Sequence, residues 1–328
     1  MTNKKNILVG ITMGDPLGIG PEIIISALSS KKINKLILPV IFGNYSILQR
    51  SSILRKSRIK IIKHKSLKDA INNFQNNFLN CLHIGNSRDC RGKLSYDFIE
   101  KATKAAMENH IQAIVTAPIN KLELNKAGYS FPGHTELLAK LTNCKEVSLM
   151  LATPKLNVIH VTAHMGLVDA IEAINPQLVY RTCKRGIDTI IKLGNKNPKI
   201  GVCGINPHAG ENGLFGYGEE KKKIIPAINR IKKEGFNIHG PLSADALFYK
   251  AALKEFDLIV AMYHDQGHCP VKVLGIDNGV NITTGLPVIR TSVDHGTGED
   301  ITGKGIASDK SLLKAINLTY KLVKNKKK

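Results

Sequence analysis

Apolar runs of strand length alternate along this chain with stretches of helical spacing. NILVGIT precedes PEIIISAL, LILPVIFG precedes YSILQR, AIVTAP precedes NKLELNKAG, and VSLMLAT and NVIHVTAH precede NPQLVYRTCKRGIDTIIKLG. The rhythm continues through KIGVCGIN, GEEKKKIIPAINRIKKEG, ADALFYKAAL, DLIVAMY and PVIRTSV, and closes on SLLKAINLTYKLV. Unbroken apolar runs suit strands covered on both faces, so the pattern predicts an α/β protein with a largely parallel sheet. LSYDFIEKATKAAMENH gives the clearest amphipathic helix, with Phe98 on its apolar side and Ser95 expected as its cap. No internal repeat, low-complexity segment or proline-rich linker interrupts the alternation.

Polar residues become unusual only where strands end. VTAHMG places His164 after one strand, GINPHAGENG places His208 after another, and AMYHDQGH places His264 after a third. A lone histidine is more often structural than a ligand, but three at the same topological position can converge on one divalent metal with open coordination positions. The spacing of His264 and His268 imitates a zinc-protease helix. Gly267 and Pro270 argue against a helix there, so the cluster is expected to be a loop at the carboxyl end of the strand Leu258 to Tyr263, where α/β sheets bind ligands.

A second set suits an anion. PGHTELLAKL puts His134 and Thr135 at a helix start, where free N–H groups favour phosphate or carboxylate, although Thr135 as an ordinary N-cap explains the same pattern. Lys272, Asn281 in GVNITTG and Arg290 at the end of LPVIR add a cation, an amide and a guanidinium, each unremarkable alone. GDPLGIGPE matches neither dinucleotide nor Walker spacing, so it reads equally as a weak phosphate loop or as a tight turn placing Asp15 near a site. The polar stretch Val293 to Gly305 suits either a loop over a cofactor or a surface excursion.

Composition narrows the partners. The 328 residues are enough for about two domains, and 43% hydrophobic content is ordinary for a soluble globular chain. No apolar run is long enough for a membrane span, and MTNKKNILVGITMGDPLGIG lacks a signal peptide's cleavage site, so a cytoplasmic location is expected. The six cysteines contain no Cys-x-x-Cys pair, which favours reduced thiols. The net charge of +21 asks for an acidic partner. Yet 38 lysines against 9 arginines, 5% aromatics and no tryptophan fit solvated lysines better than a nucleic-acid surface.

Eight segments, in order and over nearly the whole chain, resemble the 4-hydroxythreonine-4-phosphate dehydrogenase family of pyridoxal phosphate biosynthesis. They are GDPLGIGPE, TAPINK, PGHTE, VTAHMGL, NPHAGENG, GPLSADALF, AMYHDQGH and GVNITTGLPVIRTSVDHGTG. The resemblance implies two α/β domains of isocitrate/isopropylmalate dehydrogenase type with a cleft between them, residues 1–128 with 275–328 forming one and 129–274 the other. It implies a homodimer with a shared active site, a phosphorylated small-molecule substrate, and no nucleic-acid or membrane partner. It also implies NAD or NADP, and one divalent metal, zinc, magnesium or cobalt, on His164, His208 and His264. The same resemblance assigns His134, Thr135, Lys272, Asn281 and Arg290 to substrate, and Asp245 and Asp265 to orienting ligands or handling protons. His268 receives no role, and Gly298 and Glu299 stand where relatives are smaller and more apolar, leaving the cofactor contacts open. The implied reaction oxidises 4-phosphooxy-L-threonine to a 3-keto acid that loses carbon dioxide to give 3-amino-2-oxopropyl phosphate. Threonate or erythronate 4-phosphate is an alternative substrate, and a metal-dependent phosphatase or a nucleic-acid binder are more distant readings.

Overall fold

The computed structural model describes residues 7–29, 33, 36–86, 88–275 and 279–326. It divides into two compact units, one built up to Glu146 and again from Leu286, the other from Val147–Gly285. The dividing points thus lie at Glu146/Val147 and Gly285/Leu286, not at the expected 128/129 and 274/275.

The first unit carries strands β1 (Leu8–Thr12), β2 (Leu38–Gly43), β3 (Ile61–His64), β4 (Leu79–His83), β5 (Ala113–Thr116) and β12 (Ile289–Val293). They lie in the order β3-β4-β2-β1-β5-β12, and every pairing is parallel. Its helices are α1 (Gly20–Leu28), α2 (Tyr45–Leu54), α3 (Leu67–Asn72), α4 (Arg91–Met107), α5 (Lys121–Lys126), α6 (His134–Leu141) and α12 (Lys310–Lys326). All five residues of β1 are buried, as a parallel strand covered on both faces requires. Ser95 does not cap α4. The helix begins a turn earlier, behind Cys90, and the Ser95 hydroxyl donates back to the Arg91 carbonyl at 2.9 Å.

The second unit orders its strands β11 (Val280–Thr284), β6 (Ser148–Ala152), β7 (Asn157–His160), β10 (Leu258–Ala261), β8 (Ile200–Cys203) and β9 (Ile238–Leu242). β6 runs antiparallel to both β11 and β7, whereas β7, β10, β8 and β9 run parallel to one another. Helices α7 (Leu167–Ala173), α8 (Pro176–Lys192), α9 (Ile225–Lys233), α10 (Ala244–Ala252) and α11 (His264–Gly275) complete it. One core gathers Leu151, Val158, Cys203, Leu247, Ile259 and Val271, tying β6, β7, β8 and β10 to α10 and α11. Thus β7, β10 and β8 lie side by side and end together, each followed by one of the three histidines chosen from the sequence.

Candidate active site

The HDQGH cluster is a helix, not the expected loop. α11 starts at His264, three residues past the end of β10, and contains both Gly267 and Pro270. Packing overrides local preference here. A Cβ at Gly267 would sit 2.3 Å from His160 Nε2 and 2.9 Å from the Ala261 side chain, so only glycine lets the helix lie this close to β7 and β10. Gly267, His268 and Val271 form its buried face.

The start of α11 and the loop after β7 bring two imidazoles together. The His164 and His264 ring centroids are 6.0 Å apart, and both line a cavity of about 360 Å³ with Met165, Leu167, Tyr263 and Asp265. Asp265 Oδ1 accepts from His264 Nδ1 at 2.6 Å, which leaves His264 Nε2 as a lone pair able to meet a metal or a substrate proton. The role implied for Asp265, orienting a ligand, fits this bond.

His208 is placed elsewhere. It lines a separate cavity of about 880 Å³ with Phe215, Glu220 and Pro241. It opens a run of five consecutive left-handed residues, His208 to Asn212, of which Gly210 and, less readily, Asn212 suit that conformation. The turn is held at its base by Glu220, whose buried carboxylate accepts from the backbone N–H of Ile205 at 3.0 Å and of Asn206 at 2.8 Å. Among the described residues, no three His, Cys, Asp or Glu side chains are gathered closely enough to hold a metal ion. Two of the three implied donors therefore fit a shared cation, and the third does not in this arrangement. Asp245, in the first turn of α10, accepts from the Ser243 hydroxyl, which with nearby backbone N–H groups and His208 holds its carboxyl below the usual range. It is a standing carboxylate, not a base tuned towards neutrality.

The anion set divides between the units. In the first, His134 and Thr135 open α6 behind Gly133, so glycine and not Thr135 occupies the N-cap. Arg290 stands second in β12 instead of at a strand's end, because the chain around Pro287, which has no N–H to give a ladder, is not yet paired. Its guanidinium is buried and donates to Thr116 Oγ1 at 2.7 Å. Burial pulls its pKa down to about 9, against the opposing influence of Glu136. Burial, with Arg290 and Lys121 nearby, holds His134 well below the usual imidazole range, and its buried Nε2 has no hydrogen-bond partner among the described residues. In the second unit Lys272 is exposed on α11, and Asn281 on β11 buries an Oδ1 that also lacks a partner among the described residues. Buried polar atoms left unsatisfied by the protein are where a ligand's polar groups are expected.

The glycine-rich opening forms a tight turn, and the N–H groups that follow Asp15 already have acceptors within the protein. Leu17 donates to Asp15 Oδ1, Gly18 to the Asp15 carbonyl, and Ile19 to the Thr297 carbonyl. Asp15 is buried and gripped by Arg91, with Nε at 3.0 and 3.1 Å from its two oxygens. Arg91 Nη2 also reaches Glu299 Oε1 at 2.6 Å, and Asn120 Nδ2 reaches the same oxygen at 2.7 Å. Glu299 is thus one of the ties that hold the 294–305 loop, a role no local pattern announces. Sequence reasoning also missed His160, buried at the end of β7 with its Nε2 3.1 Å from His268 Nδ1, because an imidazole inside an apolar strand looks structural.

Comparison with known proteins agrees with this architecture. The family described as pyridoxal phosphate biosynthetic protein PdxA matches residues 35–319. The chain is 51% identical to a D-threonate 4-phosphate dehydrogenase from Cupriavidus necator, over 94% of this chain and 95% of that one. It is 46% identical to the crystal structure of a 4-hydroxythreonine-4-phosphate dehydrogenase from Burkholderia phymatum, with a TM-score of 0.83 over 97% of this chain and 99% of that one. A β-decarboxylating dehydrogenase from Thermococcus kodakarensis, 13% identical with a TM-score of 0.51 over 94% and 80% of the two chains, shares the fold alone.

Proposed function

This chain belongs to the PdxA family and is an oxidoreductase, and we propose that it oxidises the C3 hydroxyl of a 4-phosphorylated four-carbon acid, with NAD or NADP as hydride acceptor. Hydride leaves C3 for the nicotinamide and the hydroxyl proton leaves to a base or solvent, giving a 3-keto acid. Loss of carbon dioxide from that acid yields a three-carbon ketone phosphate: dihydroxyacetone phosphate from threonate 4-phosphate, 3-amino-2-oxopropyl phosphate from 4-phosphooxy-threonine. The first substrate is favoured by the 51% identity to a relative of that name. The second is carried by the 46% identity to a structure of the other name.

The observation that carries the site is the pair His164 and His264, 6.0 Å apart beside Asp265. With His208 they are proposed to hold one divalent metal, zinc, magnesium or cobalt, and the 207–213 turn must shift to bring the third imidazole in. A divalent cation there supplies Lewis acidity to a substrate hydroxyl. Asp265 keeps the His264 lone pair available, and Asp245 offers a carboxylate near His208. His134, Thr135, Lys272, Asn281 and Arg290 are the proposed substrate set, supported within each unit by the buried, unpartnered His134 Nε2 and Asn281 Oδ1. A homodimer is supported by the exposed apolar side chains Leu167, Val168, Leu214 and Tyr217, which flank the loops bearing His164 and His208.

Appearance of reduced nicotinamide with each phosphorylated acid tests the reaction, and absence of reduction with either removes it. His208→Ala should lose bound metal and turnover while keeping its fold; a variant with normal metal content and full activity rules out the three-histidine site.

A further inference from the structure

Besides His164 and His264, two imidazoles of the same cluster have no part in the proposal above. His160 closes β7 and is 1% exposed, and His268 lies one turn into α11 at 9%. Their hydrogen bonds fix where the protons sit. The Leu149 carbonyl lies 3.2 Å from His160 Nδ1, and a carbonyl only accepts, so His160 carries its proton there. His160 Nε2 is then a lone pair, and it accepts from His268 Nδ1 at 3.1 Å. His268 therefore also keeps its proton on Nδ1, within 3.2 Å of the His264 carbonyl as well, and its Nε2 has no hydrogen-bond partner among the described residues. Burial holds both rings neutral, His160 down to about 3 and His268 down to about 4.

The end of this chain is His264. His268 lies flat on it, ring centroids 3.7 Å apart and planes 12° apart, as residues four apart on a helix can. His264 is thus covered on one face by His268 and held at its edge by Asp265. Free rotation of His264 would break the stack and the carboxylate bond together.

We propose that His268, backed by His160, is a positioning residue for His264. The relay runs from the Leu149 carbonyl on β6 through two neutral imidazoles to the face of the site ring, so the sheet itself sets the plane of His264 and the direction of its Nε2. The inference rests on His264 being a site residue, and the experiment separates the two claims.

Three variants divide the relay into parts. His268→Asn keeps a donor where Nδ1 stands, His268→Phe keeps the stack without the hydrogen bond, and His268→Ala removes both. The first measurement is the nitrogen–proton correlation spectrum of the His264 ring in metal-free protein. The second is calorimetric titration with Co²⁺ alone. His268→Ala is expected to shift or broaden the His264 ring signals and to weaken Co²⁺ binding by about 10- to 100-fold, the range for groups that orient a ligand. His268→Phe, which keeps the stack, should recover most of both, and His268→Asn, which keeps only the donor, should recover less. Wild-type ring signals and wild-type Co²⁺ affinity in His268→Ala overturn the proposal. A wild-type protein that does not bind Co²⁺ counts against His264 as a metal ligand, while its ring spectra still decide whether His268 positions it.

Discussion

On β12 a guanidinium is buried with its charge, whereas where α11 packs on the end of β7 two imidazoles are buried without theirs. Arg290 is pulled down only to about 9 and stays protonated at neutral pH, so the fold must surround it with acceptors, and it supplies Thr116 and the nearby Glu136. His160 and His268 fall to about 3 and about 4 and discharge, so a carbonyl and each other's nitrogens suffice. The two regions show how the choice of side chain decides the partner. An arginine obliges the protein to keep countercharge nearby, and a histidine lets it build a polar relay that costs little to bury.

The sharpest way to break the comparison is to remove the buried charge. Arg290→Met should destabilise the protein by about 3–5 kcal/mol in urea unfolding, the range for stripping one member from a buried charged group. A loss below about 1 kcal/mol would mean that Arg290 is not holding its corner together. His134, beside Arg290, gives a smaller effect with a definite sign. Its folded pKa lies well below the usual 6.5, so between those values the unfolded chain takes up a proton that the folded chain refuses. Stability is complete above pH 6.5 and falls as pH drops below it, by up to about 1.4 kcal/mol per pH unit. Midpoints measured from pH 7.5 to 5.5 should fall less steeply in His134→Asn, and equal slopes would disprove the assignment. The smallest effect belongs to the other region. Asp265→Asn changes an exposed pair, so its unfolding free energy should stay within about 0.5 kcal/mol of wild type even as turnover drops. A larger loss would make Asp265 a structural residue.

Much of this was legible in the sequence because parallel strands are apolar on both faces. β1, β2, β5, β7, β8 and β10 announce themselves as runs, and the polar residue ending a run marks the ligand side of the sheet. Edge strands are harder. β3 is only partly buried and contains Lys63, and β9 is interrupted by Pro241, so neither reads as a run. α11 was misread because Gly267 and Pro270 are unfavourable in an isolated helix, and the contact that makes glycine necessary, with His160, lies more than a hundred residues away. The same distance hid the His160–His268 bond. The position of His208 was not legible either, since strand order predicts which loops are neighbours but not how a left-handed turn aims a side chain.

The order in which residues contribute to each unit bears on how the protein is born. The second unit is one continuous stretch, Val147–Gly285, and has all its strands once that stretch has left the ribosome. The first unit does not. β12 pairs with β5, Ile289 against Ala113, so the earlier-made half waits with one side of β5 bare while the whole second unit is synthesised. At about 5–20 residues per second that wait lasts several seconds or more. An unpaired strand edge attracts other chains for as long as it is exposed. Overexpression and slowed translation should therefore raise aggregation through the first unit, and a chaperone that shields β5 would protect this protein more than one acting on the finished chain.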